Sequence, residues 1–243
     1  MKLITEEFNI NDSIFSFHYR NDSPGDIGVI SQIFHNKDYD IGHWTQGQKL
    51  IAYHKEQSKL RPSLIIDAGA NIGASVVYFL KTYENAIVYS IEPEINNWHI
   101  LEINTSEYKN KINFLGAIAQ KDGELFLEDP GQSDWAYRTS STPNSNSMSG
   151  IKSISPASIL STPPINEYTK LIFKVDIEGG EASLFDGDTT WLRDFPLLII
   201  ELHDWMLPFS GSSKNFLRAI ARYDFDLVHR GENIFLFNRE ILA

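Results

Sequence analysis

LIIDAGANIG, residues 64–73, joins a short apolar run to a turn and then to a helical stripe. Leu64 to Ile66 has the composition of a strand buried on both faces. Asp67 ends the strand, and Gly69 and Gly73 bracket the turn. Ile72, Val76, Phe79, Leu80 and Tyr83 then fall on one helical face. A strand, a glycine turn and a crossover helix open a βαβ unit.

Downstream, Ile87 to Ile91, Ile112 to Ile118, Leu171 to Ile177 and Leu197 to Leu202 repeat the same apolar pattern and complete five predicted parallel strands. Phe216, Leu217, Ile220 and Tyr223 mark a further helix, and FDLVH (225–229) and NIFLFN (233–238) flank the tight turn RGEN. The prediction is an α/β fold: a Rossmann-like, doubly wound, seven-stranded, mostly parallel sheet ending in an antiparallel C-terminal hairpin. A nicotinamide-binding sheet would instead continue with a sixth parallel strand and a separate substrate domain. Upstream, FNINDSIFSFHYR (8–20) alternates like a strand pair, and GDIGVISQIFHNKDYDI (25–41) looks helical before it loops. Residues 1–60 are therefore expected to form an extension or cap, and 61–243 the domain proper.

With 42% hydrophobic and 22% charged residues, the 243-residue chain can bury a sizeable core. Its formal charge of −11 repels phosphate backbones and anionic lipid, so no nucleic-acid partner is expected. The absence of cysteine excludes disulfides, thiolate nucleophiles and cysteine-ligated metals. MKLITEEFNI lacks the apolar stretch of a secretory signal, and no run approaches the roughly 18 apolar residues of a membrane helix. A cytoplasmic protein without membrane insertion is the expectation. RTSSTPNSNSMSG, residues 138–150, is small and polar throughout and reads as a mobile loop, either a lid or a surface excursion.

The residue types around the first turn suit a ligand. A carboxylate at a strand end, Asp67, can receive the α-ammonium of an amino-acid ligand, and glycine lets backbone approach without a Cβ clash. The spacing is GxxxG with Asn71 in place of a middle glycine, so a pyrophosphate is not expected. Glu92, in SIEPE at the end of the second strand, can accept both ribose hydroxyls of an adenosine. GAIA, residues 116–119, leaves room beside Ala117 for a flat ring. The plainer alternative is that these acids cap turns and the small residues only pack.

KLIFKVDIEGGE, residues 170–181, brings Lys174, Asp176, Glu178 and Glu181 to a strand otherwise apolar. Unpaired buried charge costs several kcal/mol, so these groups should converge on a site at the carboxyl end of the sheet or form an ion-pair network. Lys174 pairing with Asp176 or Glu181, with Asp176 or Glu178 touching ligand, accommodates both readings. IIELHDW (199–205) sets Glu201, His203 and Asp204 beside them. His203 is a candidate general base, oriented by a neighbouring carboxylate. Asp176 with Glu201 or His203 is also a candidate for a divalent, magnesium-type ion. The other histidines show no ligand spacing. Trp44, Trp135 and Trp205 suit stacking on a sugar face or simple packing.

DAGANIG, IEPE and KVDIEGGE, in this order and spacing, resemble the FkbM-type methyltransferases over approximately Leu64 to Glu201. The resemblance implies a class I methyltransferase fold, S-adenosylmethionine as methyl donor, and O-methylation of a hydroxyl on a sugar, glycan or polyketide-type natural product. It assigns Asp67, Gly69, Ala70, Asn71 and Gly73 to the methionine part and Glu92 to the ribose. Asp176, Glu178 and Glu181 fall in the active-site region, without fixed individual roles. The family often has alanine where Gly180 stands, and the serine-rich insertion has no counterpart in its pattern. Asp176, Glu178 and His203 are the candidate catalytic residues, with His203 or Asp176 as the base. A nicotinamide-dependent oxidoreductase and a catalytically silent nucleoside-binding scaffold are the competing readings.

Overall fold

The structure is a computed structural model that describes residues 2–128, 138–140 and 147–243. The chain opens with an antiparallel hairpin, β1 (Leu3–Ile10) and β2 (Ser13–Arg20), then α1 (Pro24–Ile30), a π-helical turn at Ser31–His35 and α2 (Thr45–Gln57). Next come β3 (Ser63–Ala68), α3 (Ala74–Thr82), β4 (Ala86–Glu92), α4 (Ile95–Asn104) and β5 (Lys111–Leu115). The short strands β6 (Ala117–Ile118), β7 (Gly123–Glu128), β8 (Arg138–Ser140) and β9 (Ser147–Ile154) follow. The chain ends through α5 (Pro156–Ser161), β10 (Thr169–Val175), α6 (Glu181–Leu184), β11 (Leu197–Glu201), α7 (Lys214–Ile220), β12 (Phe225–Arg230), β13 (Asn233–Asn238) and α8 (Arg239–Leu242).

The central sheet has seven strands in the order β12-β13-β11-β10-β3-β4-β5. Five neighbouring strands pair in parallel, β12 runs in the same direction, and β13 inserts antiparallel between β11 and β12. The sequence predicts this closing hairpin. Strand order reverses between β3 and β10, and that switch point opens a crevice beyond the carboxyl ends of the strands.

Alternation explains why the strands read as continuous apolar runs. Ile65 packs with Val88, Ile172, Ile199 and Phe235 on one face, while Leu64, Ile66, Phe173, Val175 and Ile200 pack on the other. The pairing of β10 with β3 shifts register between Lys170 and Ile172, after which Lys174 stands opposite Asp67. Ile172 and Lys174 then share the face of Ile65 and Asp67, which brings the two charges together.

The N-terminal segment covers that same face. Asn11 and Asp12 both take positive φ, 51° and 63°, in the two-residue turn that sets β1 against β2. Phe34, from the π-helical turn, lies 4.7 Å from Phe8 and 5.1 Å from Phe17, ring centre to ring centre. Asn104 of α4 clamps the hairpin to the sheet: its Oδ1 accepts from the His18 N–H at 2.7 Å, and its Nδ2 donates to the carbonyls of His18 and Ile72, each at 2.9 Å.

Two features depart from the sequence reading. The predicted third strand, Ile112 to Ile118, breaks at Gly116, where a Cβ would collide with the carbonyl oxygen of Lys152 and the ring of Phe114. Lys111–Leu115 stays in the central sheet, and Ala117–Ile118 leaves it to pair with β9. The segment read as a loop over 138–150 contains strand at Arg138–Ser140 and from Ser147 onward, because backbone pairing with β7 supplies partners that a polar sequence does not advertise. Residues 141–146, and Trp135, lie outside the described residues. Among the described residues no helix is long and apolar enough to cross a membrane.

Candidate active site

The turn after β3 is built for close approach. Gly69 has φ +82°, and a Cβ there would run into the carbonyl oxygen of Asp176, so the exits of β3 and β10 touch backbone to backbone. The N–H groups of Gly69 and Ala70 both donate to the carbonyl of Ile91 at 3.0 Å. Asn71 sits at φ 48°, and its N–H donates to Glu92 Oε2 at 2.8 Å. The Glu94 N–H donates to Glu92 Oε1 at 2.9 Å. Burial pushes the Glu92 carboxyl up to about 7, against these two N–H donors. The residue lines the crevice.

Asp67 does not reach that crevice. It is fully buried, with Lys174 Nζ 3.0 Å from Oδ1 and the Ser75 hydroxyl donating to Oδ2 at 2.5 Å. The ammonium of Lys174 thus takes the place the sequence reading gave to a ligand's ammonium. It also donates to the Gly69 carbonyl at 2.9 Å and stands 3.5 Å from Asp176 Oδ2. Burial opposes the charge on Lys174, but Asp67, Tyr39 and Asp176 prevail and hold its pKa well above the usual lysine value. Burial likewise raises the Asp67 carboxyl, with Lys174 and Ser75 pulling it back. The expected pairing of Lys174 with Glu181 is not found, since Glu181 faces His203 instead.

Gly69, Ala70, Asn71, Glu92, Ala117, Asp176 and Glu178 line one hollow together. Gly73 stands behind it, at φ +90° against the side chain of Leu101. Ser75, Asn97, Val29, Gln32, Ile33 and Tyr39 line it as well. Sequence reasoning missed these last residues. No motif marks them; for Val29, Gln32, Ile33 and Tyr39 the signal is the helical apolar pattern over residues 25–41, and Ser75 and Asn97 lie on the helices that follow β3 and β4. A second hollow adjoins, sharing Val29, Gln32, Asn71, Asp176 and Glu178 and extending to Asp38, Glu201, Trp205 and Glu232. Trp205 is 61% exposed, whereas Trp44 packs edge-on against Phe235 and Phe237.

Behind Asp176 and Glu178, which both hollows share, His203 is buried among four carboxylates. Its Nδ1 lies 2.8 Å from Glu181 Oε1. Its Nε2 lies 3.4 Å from Glu178, 3.6 Å from Glu201 and 3.7 Å from Asp176. Glu178 reaches the cluster from a left-handed backbone, φ 52°, followed by Gly179 at +95°. A non-glycine residue there stores strain, a recurrent mark of functional positions. Burial opposes the imidazolium, yet the Glu181 hydrogen bond and the charges of Asp176, Glu181 and Glu178 push His203 up to about 9. A ring protonated at neutral pH cannot take a proton from a hydroxyl, which weighs against His203 as the base. Burial, then Asp176, pushes Glu178 up to about 8 and Glu201 up to about 9. Asp176, Glu178 and His203 each offer one ligand atom to a common point, all within 4.8 Å of one another.

A switch-point crevice with an acid at the end of its neighbouring strand and a reversed last strand defines the class I S-adenosylmethionine-dependent methyltransferases. The family model of the methyltransferase FkbM domain matches residues 67–227, two thirds of the chain, and the protein belongs to that family. S-adenosylmethionine is the methyl donor of the family. Among solved structures, a putative O-methyltransferase from Klebsiella pneumoniae is similar at 11% identity and a TM-score of 0.42, covering 86% of this chain and 90% of that one. TrmK of M. capricolum, in complex with S-adenosyl-homocysteine, is similar at 11% identity and a TM-score of 0.40, covering 76% and 66% respectively. TYW2 of M. jannaschii, in complex with AdoMet, is similar at 12% identity and a TM-score of 0.33, covering 97% and 84%. No curated protein matches the chain by sequence.

Proposed function

We propose that the protein transfers a methyl group from S-adenosylmethionine to a hydroxyl oxygen of a sugar, a glycan or another natural product. The observation that carries this reading is the meeting of two hollows at Asp176 and Glu178. The inner hollow takes the donor. Gly69, Ala70 and Asn71 face its methionine part, Glu92 accepts from the ribose hydroxyls, and Ala117 borders the adenine. Asp67 and Gly73 act from beneath, by holding Lys174 and the turn in place.

The outer hollow takes the acceptor. Its acidic wall suits a neutral or basic molecule and repels a polyanion, in keeping with the net charge of −11. The exposed face of Trp205 suits the apolar side of a sugar ring. Transfer is an in-line displacement: the oxygen–methyl bond forms as the sulfonium–methyl bond breaks, and the sulfur keeps the electron pair. Holding the two atoms in near-attack geometry supplies most of the acceleration. Asp176, which lines both hollows, takes the hydroxyl proton.

Calorimetric titration with S-adenosylmethionine, S-adenosylhomocysteine and NAD tests the donor half. Micromolar binding of the sulfur nucleosides alone is expected. Asp67→Ala and Glu92→Ala should each weaken it at least tenfold, about 1.4 kcal/mol, while His203→Ala spares binding and lowers turnover. Wild-type affinity in the first two variants would sink the residue assignments. Binding of NAD instead would turn the reading to hydride transfer. Tight S-adenosylhomocysteine binding with no labelled methyl reaching a panel of sugars and natural-product alcohols would favour a silent nucleoside-binding scaffold.

A further inference from the structure

We infer that Asp176, Glu178 and the Nε2 of His203 form a binding site for one divalent metal ion of borderline hardness, manganese or zinc in kind, with Glu181 holding the imidazole in ligating orientation. The inference goes beyond methyl transfer and does not depend on it.

His203 is 99% buried in the sense that only 1% of its surface is exposed, and its Nε2 makes no hydrogen bond although three carboxylates surround it. A buried ring nitrogen that faces three carboxylates at 3.4–3.7 Å without a hydrogen bond to any of them leaves room for an ion between them. Its other nitrogen is committed, because Glu181 Oε1, itself buried, accepts from Nδ1–H at 2.8 Å. That bond commits Nδ1, so an ion that displaces the Nε2 proton meets a lone pair facing Asp176 and Glu178. Carboxylate–imidazole–metal relays have this form, with the outer carboxylate fixing tautomer and ring orientation.

The spacing agrees. Donor atoms arranged tetrahedrally around an ion with bonds of about 2.1 Å stand about 3.4 Å apart. The separations from Nε2 are 3.4 Å to Glu178, 3.7 Å to Asp176 and 3.6 Å to Glu201. Glu201 is therefore within reach as a fourth donor. The buried Glu178 Oε2 also lacks a hydrogen-bond partner, and the left-handed backbone at Glu178 aims it here. One imidazole with carboxylates favours manganese, iron or zinc over magnesium or calcium, which prefer oxygen throughout. Because Asp176 and Glu178 line both hollows, such an ion would be in position to bind an acceptor hydroxyl and lower its pKa.

The test uses full-length protein stripped with a chelator and kept free of nucleoside. Manganese binding is followed by the loss of the free-ion electron paramagnetic resonance signal, and zinc binding by calorimetry. One ion per chain at micromolar concentration is expected. Glu178→Gln and His203→Asn should weaken binding at least a hundredfold. Glu181→Gln, which touches no ion, should weaken it ten- to a hundredfold. Glu107→Gln, a distant exposed acid, should leave it unchanged. Nitrogen-14 hyperfine coupling on wild-type manganese protein should report the imidazole even where a variant fails to fold. Binding weaker than millimolar, loss of the nitrogen coupling from the spectrum, or an equal response of Glu178→Gln and Glu107→Gln would overturn the assignment. S-adenosylhomocysteine titrated into the same metal-free sample reports the donor site separately.

Discussion

Two glycines beside the acidic cluster, Gly69 and Gly180, make opposite demands. Gly69 has a left-handed φ of +82° and no room for a Cβ against the Asp176 carbonyl. Gly180 has an ordinary helical φ of −73°, and its nearest neighbours, the Ile177 side chain and carbonyl, stand at 3.1 and 3.3 Å. Gly69→Ala should therefore lower unfolding stability by about 2 kcal/mol or more. Gly180→Ala should stay within about 1 kcal/mol of wild type, since a slight loss of space is offset by a stiffer unfolded chain. Urea denaturation of both variants checks this, and equal losses would contradict the geometry. Tolerance at Gly180 agrees with the alanine that FkbM-type sequences often carry there.

At the scale of elements, Asn104 ties the segment before β3 to the sheet, with two hydrogen bonds to the His18 backbone and a third to the Ile72 carbonyl. Asn104→Ala would leave three backbone groups without their partner. A loss of about 2 kcal/mol or more is expected, with faster amide exchange in β1, β2 and the 67–75 turn and weaker donor binding. Exchange confined to α4 would show that the clamp does not couple the segment to the turn. The five parallel strands and the final hairpin were legible in the sequence because both faces of each central strand are buried, so composition alone reveals them. Glu92, Asp176 and Glu178 were legible because charge at the end of an apolar run needs a reason. Val29, Gln32 and Tyr39 were not, since what makes them line a hollow is the docking of one segment on another. The sheet of β6 to β9 escaped notice because its strands are short and partly polar, and their pairing is not local. The pairing of Lys174 with Asp176 was legible, but its closer partner Asp67 was not, because the register shift that sets them opposite leaves no local signature.

Across the whole molecule, burial of acids makes the metal-free protein sensitive to alkali. Glu92 rises from an ordinary value of 4.5 to about 7, so the folded state holds this proton more tightly than the unfolded chain does. Stability from such a group is complete below pH 4.5 and is lost as pH climbs through 7, here by about 3 kcal/mol. Glu178, Glu201 and His203 shift upward too and act with the same sign, up to pH 8 or 9. The melting temperature in chelator should fall steadily from pH 5 to pH 9, and Glu92→Gln should flatten the part below pH 7. A midpoint that rises over this range would contradict the buried state of these acids.

The pair of Lys174 with Asp67 also has a history in time. Lys174 is separated from the Gly69 carbonyl it caps by 105 residues of chain. During synthesis the turn at Asp67 leaves the ribosome long before the strand that neutralises it, and His203 follows later still. Until β10 emerges, Asp67 has no counter-ion to be buried with, so the early βαβ unit has reason to remain open and hydrated there. Arrival of Lys174 removes that obstacle, so closure of the cleft waits on β10.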